Sequence, residues 1–210
     1  GIDSMLDVLD PQSEAQQSLP TSTALKKYAG AALMHMSFLV FIEIPKEKIQ
    51  QAINALKTTL DKAENNANTG TLDTLLEKYL GCAIWRFSFN KVNCSTIGKC
   101  DGLPVITQYA FKIVNGLHAQ NPIYTTEDSL SLLEFLVSAL WLLSYDDHNA
   151  DLMRDASSRD DEPDSVLTLI KTISLPHERK YERLHVDGAK ALWTLSTRKD
   201  LARLAVDYGL

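Results

Sequence analysis

The chain has 210 residues, of which 45% are hydrophobic and 23% charged, with a formal net charge of −6. That length suits one large domain or one continuous repeat array, and the acidic balance argues against broad nucleic-acid binding, which needs a basic footprint to displace counterions. The longest apolar run, Phe38 to Ile42, falls far short of the roughly 20 residues of a membrane-spanning helix, so no membrane insertion is predicted.

In chain order, residues 1–21 read as an N-terminal loop or partial repeat. The first residues carry acids rather than a basic segment followed by an apolar one, so no signal peptide is predicted. Residues 22–39 read as a helix. Pro45 opens a second one over 46–63, a placement Pro tolerates because its missing N–H would have no partner there. From Leu75 to Ile84 apolar residues recur at three- and four-residue steps, the signature of one helix face. A short helix is expected to begin at Asn93 as its cap and to stop at Gly102, which hands over to a longer helix from Leu103-Pro104. Gly116 to Thr125 reads as a loop, and Thr125 or Thr126 as the N-cap of a helix whose first turn carries Glu127 and Asp128. A second short helix is expected at Asn149 and a third at Asp200, with Gly209 closing the pattern. Between them, Asp146 to Asp164 holds eight acids against Arg154 and Arg159, and its part from Asp155 to Asp164 reads as a solvated loop. Ser157 and Ser158 each precede an acid by three residues, a weak acid-directed phosphorylation pattern.

Four segments align without gaps: Ala32 to Ser37, Ala83 to Ser88, Ala139 to Ser144 and Ala191 to Ser196, their serines 51, 56 and 52 residues apart. Trp85, Trp141 and Trp193 share one place in three of them. Near-regular repetition at this period points to stacked helical units.

With its Ala-Leu-Trp-x-Leu-Ser-like segments, followed by Asn93-x-x-x-Ile97 and Gly102-Leu103-Pro104, the chain resembles the armadillo repeat family, most closely over residues 83–104. The resemblance implies an all-α, right-handed α-solenoid of three-helix repeats over 22–210. In that frame 22–39 is a third helix, with repeats at about 40–90, 91–145 and 146–197 and the start of another at 198–210. Because the pattern at 209–210 falls where a further long helix is due, the array is expected to continue. Family repeats usually run about 40–47 residues; the surplus here falls in the two loops named above.

In armadillo proteins that bind extended peptides, the third helices line a concave groove and an Asn at the fourth place of the repeated segment clamps the ligand backbone. Here that place holds His35, Arg86, Leu142 and Thr194, so the amide clamp is not carried over. The groove candidates are these four with Trp85, Trp141 and Trp193. Two readings of the tryptophans stand side by side: packing between repeats, or binding hot spots.

Catalytic motifs are missing: there is no H-E-x-x-H, no Walker-type loop and no G-x-G-x-x-G, and the five histidines share no metal-ligand spacing. No cofactor or metal is predicted. The three cysteines, Cys82, Cys94 and Cys100, suit a reducing compartment better than a disulfide framework. The function expected is therefore a non-catalytic protein–protein interaction scaffold in the cytoplasm, with the nucleus also open, whose partner is a protein or peptide. The alternative is a regulatory or autoinhibitory, ligand-sensing armadillo domain of a larger signalling protein.

Overall fold

The computed structural model describes residues 29–34, 42–65, 74–156 and 164–208. Among these the protein is all-α, without a β-strand. Residues 29–34 are helical. Nine bounded helices follow: α1 (Lys46–Asn65), α2 (Thr74–Phe87), α3 (Lys91–Lys99), α4 (Gly102–His118), α5 (Glu127–Leu143), α6 (Asp147–Ala156), α7 (Ser165–Ile173), α8 (Glu182–Ser196) and α9 (Lys199–Asp207). Short 3₁₀ turns, Pro122–Tyr124 and Arg179–Tyr181, lead into α5 and α8.

Helix starts follow from main-chain and side-chain acceptors that satisfy N–H groups of the first turn. The Pro45 carbonyl accepts from the Lys48 and Ile49 amides at 2.9 and 3.2 Å. Thr126, rather than Thr125, caps α5 through its bond from the Ser129 amide. The short helices differ from expectation. Asn90 caps α3, accepting from the Val92 amide at 2.8 Å, and Asp146 accepts from the Asn149 amide at 3.1 Å at the start of α6. Asn93 and Asn149 are therefore not caps; each sits one turn inside its helix and is almost fully buried.

Their role is to join elements. Asn93 accepts from the Ile44 amide at 2.9 Å and donates to the Ile42 carbonyl at 3.1 Å. Asn149 donates to the Cys94 carbonyl at 3.0 Å. The close approach of α6 to α3 depends on Gly98: a Cβ there would lie 1.8 Å from the Asn149 Oδ1 atom.

The repeated segments explain themselves in the core. Ala83, Ile84 and Phe87 on α2, Ala139, Leu140 and Leu143 on α5, and Ala191, Leu192 and Leu195 on α8 are all buried. Each terminal Ser turns back on its own helix: Ser88 donates to the Ile84 carbonyl, Ser144 to that of Trp141 and Ser196 to that of Trp193. Helices one period apart pack on one another: α2 on α5 and α5 on α8, α1 on α4 and α4 on α7, and α3 on α6. Gly81 lets α5 come close to α2, since a Cβ there would meet Leu132 at 2.5 Å. Lys78 on α2 bridges to Asp128 on α5 at 2.7 Å.

The described ends of both stretches expected to be loops belong to helices or their caps. Gly116 belongs to α4, and the 3₁₀ turn packs Tyr124 against the core. Asp164 is buried and caps α7, accepting from the Val166 amide at 2.7 Å, so it is not the solvated loop residue expected. Ser157 and Ser158 lie outside the described residues.

Candidate functional site

One face of the molecule gathers side chains from α2, α5 and α8 into an open groove of about 570 Å³. Helix α2 and the turn after it contribute Trp85 and Phe89; α5 contributes Ser138 and Trp141. The far wall is α8 with its preceding 3₁₀ turn, which supply Arg179, Glu182, Arg183, Val186, Asp187 and Lys190.

Trp85 is half-buried. It stacks on Phe135 of α5 with ring centroids 5.3 Å apart and an interplanar angle of 24°. The Arg86 guanidinium lies 4.6 Å from its ring centroid and that of Arg183 5.4 Å. Trp141 packs against the core with one edge and donates from Nε1 to the Tyr145 hydroxyl at 3.2 Å. Lys190 Nζ sits 4.3 Å from its ring centroid. Such cation–π contacts contribute about 0.5–1 kcal/mol when exposed and more when desolvated.

At the floor of the groove, Asp187 is the organising group. It is 7% exposed, accepts from the Ser138 hydroxyl at 2.6 Å and pairs with Lys190 at 3.1 Å. Arg183 stands 3.7 Å from both Asp187 and Glu134. Burial raises the Glu134 carboxyl above its ordinary range, with Arg183 pulling it back and Asp187 pushing it further. A single buried carboxylate thus aims one cation at each tryptophan.

The expected site residues do not all meet here. Trp85 and Trp141 line the groove. Arg86 lies beside it, over Trp85 and next to the Cys82 thiol. Leu142 lines a separate cavity of about 270 Å³ with Cys94, Tyr145 and Asp146. Thr194 turns its hydroxyl to the Lys190 carbonyl of its own helix. Trp193, at the same place on α8 as Trp85 on α2 and Trp141 on α5, is 71% exposed. His35 lies outside the described residues.

Arg179, Arg183, Asp187 and Lys190 were not among the sequence candidates. Their signal was a break in a row: Tyr79, Phe135 and Asp187 stand at one register, six residues before the tryptophans, and the third member is a carboxylate.

All three cysteines are free and buried. Cys94 donates to the Ser88 carbonyl, and burial, with Asp146 nearby, pushes its thiol up to about 12. Among the described residues no group of three or more His, Cys, Asp or Glu side chains is placed to hold a metal ion. Nor is any single described helix long and apolar enough to cross a membrane. Comparison with protein-family models, with curated proteins and with solved structures finds no significant match.

Proposed function

We propose that the chain is a right-handed α-solenoid of armadillo-like three-helix repeats, acting as a non-catalytic scaffold that holds a protein partner in the groove across α2, α5 and α8. The observation that carries this reading is the packing of α2 on α5 and of α5 on α8, with one groove lined by all three helices. Repetition of that kind makes an extended surface rather than a closed pocket. Two partly exposed tryptophans, one of them beside two arginines, are the residue types that dominate binding hot spots, because they bury much area at small entropic cost.

Cross-linking of the purified protein to its bound partner, mapped by mass spectrometry, tests the proposal. Cross-links should fall on α2, α5 and α8 and vanish in the Trp85→Ala/Trp141→Ala double variant, while circular dichroism still reports a folded helical protein. Cross-links on the opposite side, along α1, α4 and α7, that survive the double variant would refute the groove.

A further inference from the structure

We infer that the groove takes an extended acidic segment of a partner protein, with a carboxylate seated at Arg183 and Arg179 and an apolar side chain against Trp85 and Trp141. The inference rests on the scaffold reading above and adds the chemistry of the occupant.

Charge placement carries it. The chain is acidic overall, at −6, yet this groove collects Arg179, Arg183 and Lys190 on one wall. Two acids line the same groove, Glu182 and Asp187. The Asp187 charge is already met by Ser138 and Lys190 at close range, so it does not repel an incoming anion as a bare carboxylate would.

Arg183 is the strongest single indicator. Its two acidic neighbours stand at 3.7 Å, well beyond the roughly 2.7–2.9 Å of a charge-assisted hydrogen bond. Its side chain is 48% exposed and its guanidinium rests near the Trp85 ring. A planar fork held on an aromatic face, without close bonds to either acid, is pre-organised for a bidentate carboxylate. Arg179 is exposed on the turn that leads into α8, next along the same wall.

The apolar half of the occupant follows from Trp85, Phe89 and Val186, which leave hydrocarbon facing the groove between the cations. Such alternation of apolar surface and single cations fits a peptide with spaced acids. A nucleic-acid strand would ask for a continuous basic track, which Glu182 interrupts.

The test uses the 210-residue protein and pooled short fluorescent peptides in three sets: Glu-rich with one aromatic residue each, and the same peptides with Gln or with Lys in place of Glu. Fluorescence anisotropy should find the Glu set binding roughly tenfold tighter than the Lys set, a difference of about 1.4 kcal/mol, with affinity falling as salt rises. Arg183→Glu should weaken the Glu set about tenfold, and Arg179→Glu severalfold. Should Arg183→Glu fail to fold, Arg179→Glu carries the test alone. Equal binding of all three sets, preference for the Lys set, or tighter binding of a single-stranded oligonucleotide would overturn the acidic occupant. If Trp85→Ala/Trp141→Ala still abolished that binding, the scaffold reading would survive. Absence of binding by any probe overturns the acidic occupant as well.

Discussion

Replacing Asn93 by alanine separates two readings of one residue. As an N-cap it would contribute about 1 kcal/mol, the usual loss when a cap becomes alanine. The structure places it instead between chain segments, 1% exposed, holding the Ile44 amide and the Ile42 carbonyl. The Ile44 bond is buried, so its loss leaves an orphaned N–H at a cost of about 1–3 kcal/mol. The Ile42 carbonyl belongs to an exposed residue and can turn to water, which limits that part to the net value of a bond, about 0.5–1.5 kcal/mol. Together Asn93→Ala should cost about 3 kcal/mol, the middle of a range of roughly 1.5–4.5 kcal/mol. For a chain of this size a loss of about 3 kcal/mol lowers the melting temperature by about 6–12 °C. Asn93→Asp should not rescue it, because the acid keeps the acceptor for Ile44 but presents an anion to the Ile42 carbonyl. The control is Asn90→Ala, which removes the true cap of α3 and should cost only about 1 kcal/mol. Urea unfolding followed by far-UV circular dichroism measures both. If Asn93→Ala costs no more than Asn90→Ala, the joining role is wrong.

Other consequences are open to direct measurement. Asp164 is buried and its carboxyl is raised, chiefly by burial and against the pull of Tyr208 and the Val166 amide. A raised acid favours the folded state when protonated, so its contribution is present below the unfolded value and lost as pH rises through the folded one. Asp164→Asn keeps an oxygen for the α7 cap and should therefore stabilise the protein at pH near 7; the gain should shrink on acidification, and a gain unchanged by pH would contradict the account. Cys94, with a thiol pushed up to about 12, should resist alkylation in the folded protein at mildly alkaline pH and react on unfolding; rapid labelling under native conditions would show that it is not buried as described. Ser138→Ala removes the hydroxyl that Asp187 accepts from and should cost about 1–3 kcal/mol, with a drop in groove affinity in binding assays; unchanged stability would deny Asp187 its organising role. Gly98→Ala forces a Cβ onto Asn149 and should destabilise by about 1–3 kcal/mol despite the better helix propensity of alanine. In an Asn149→Ala background the same change should be neutral or stabilising, and additive costs in the double variant would exclude the clash as the cause.

Much of this architecture was legible because the three fully described copies of the repeated segment meet the same demand. Ala83, Ala139 and Ala191 are small where helices approach, and Ile84, Leu140 and Leu192 fill the space between them. A residue type that recurs at one place reports a shared burial requirement, and the period of the serines follows from it. The helix starts were less readable. Asn is a good cap and also a good buried connector, since its amide both donates and accepts; sequence spacing alone does not separate Asn90 from Asn93, and only the position of Ile42 and Ile44 does so. Asp164 was hidden for a related reason, because a charge at the end of an acidic run looks solvated until a helix start and Tyr208 close over it.

The groove residues were the least legible, and the reason bears on how such a face acquires its binding character. Trp85 and Trp141 belong to the repeat and could be named from it; Arg179, Arg183, Asp187 and Lys190 belong to one helix and its lead-in. At the register where α2 has Tyr79 and α5 has Phe135, α8 has Asp187. Phe135 meets its neighbour's ring by stacking on Trp85. Asp187 cannot stack; buried as it is, it needs partners, since an unpaired buried charge is far too costly to keep. Ser138 and Lys190 supply them at close range, and Arg183 stands further off at 3.7 Å. Lys190 thereby comes over Trp141 and Arg183 toward Trp85. One departure from the repeat therefore brings two α8 cations, Arg183 and Lys190, over the tryptophans of α2 and α5. What the copies share builds the stack, and where one copy differs the stack acquires a face with its own chemistry.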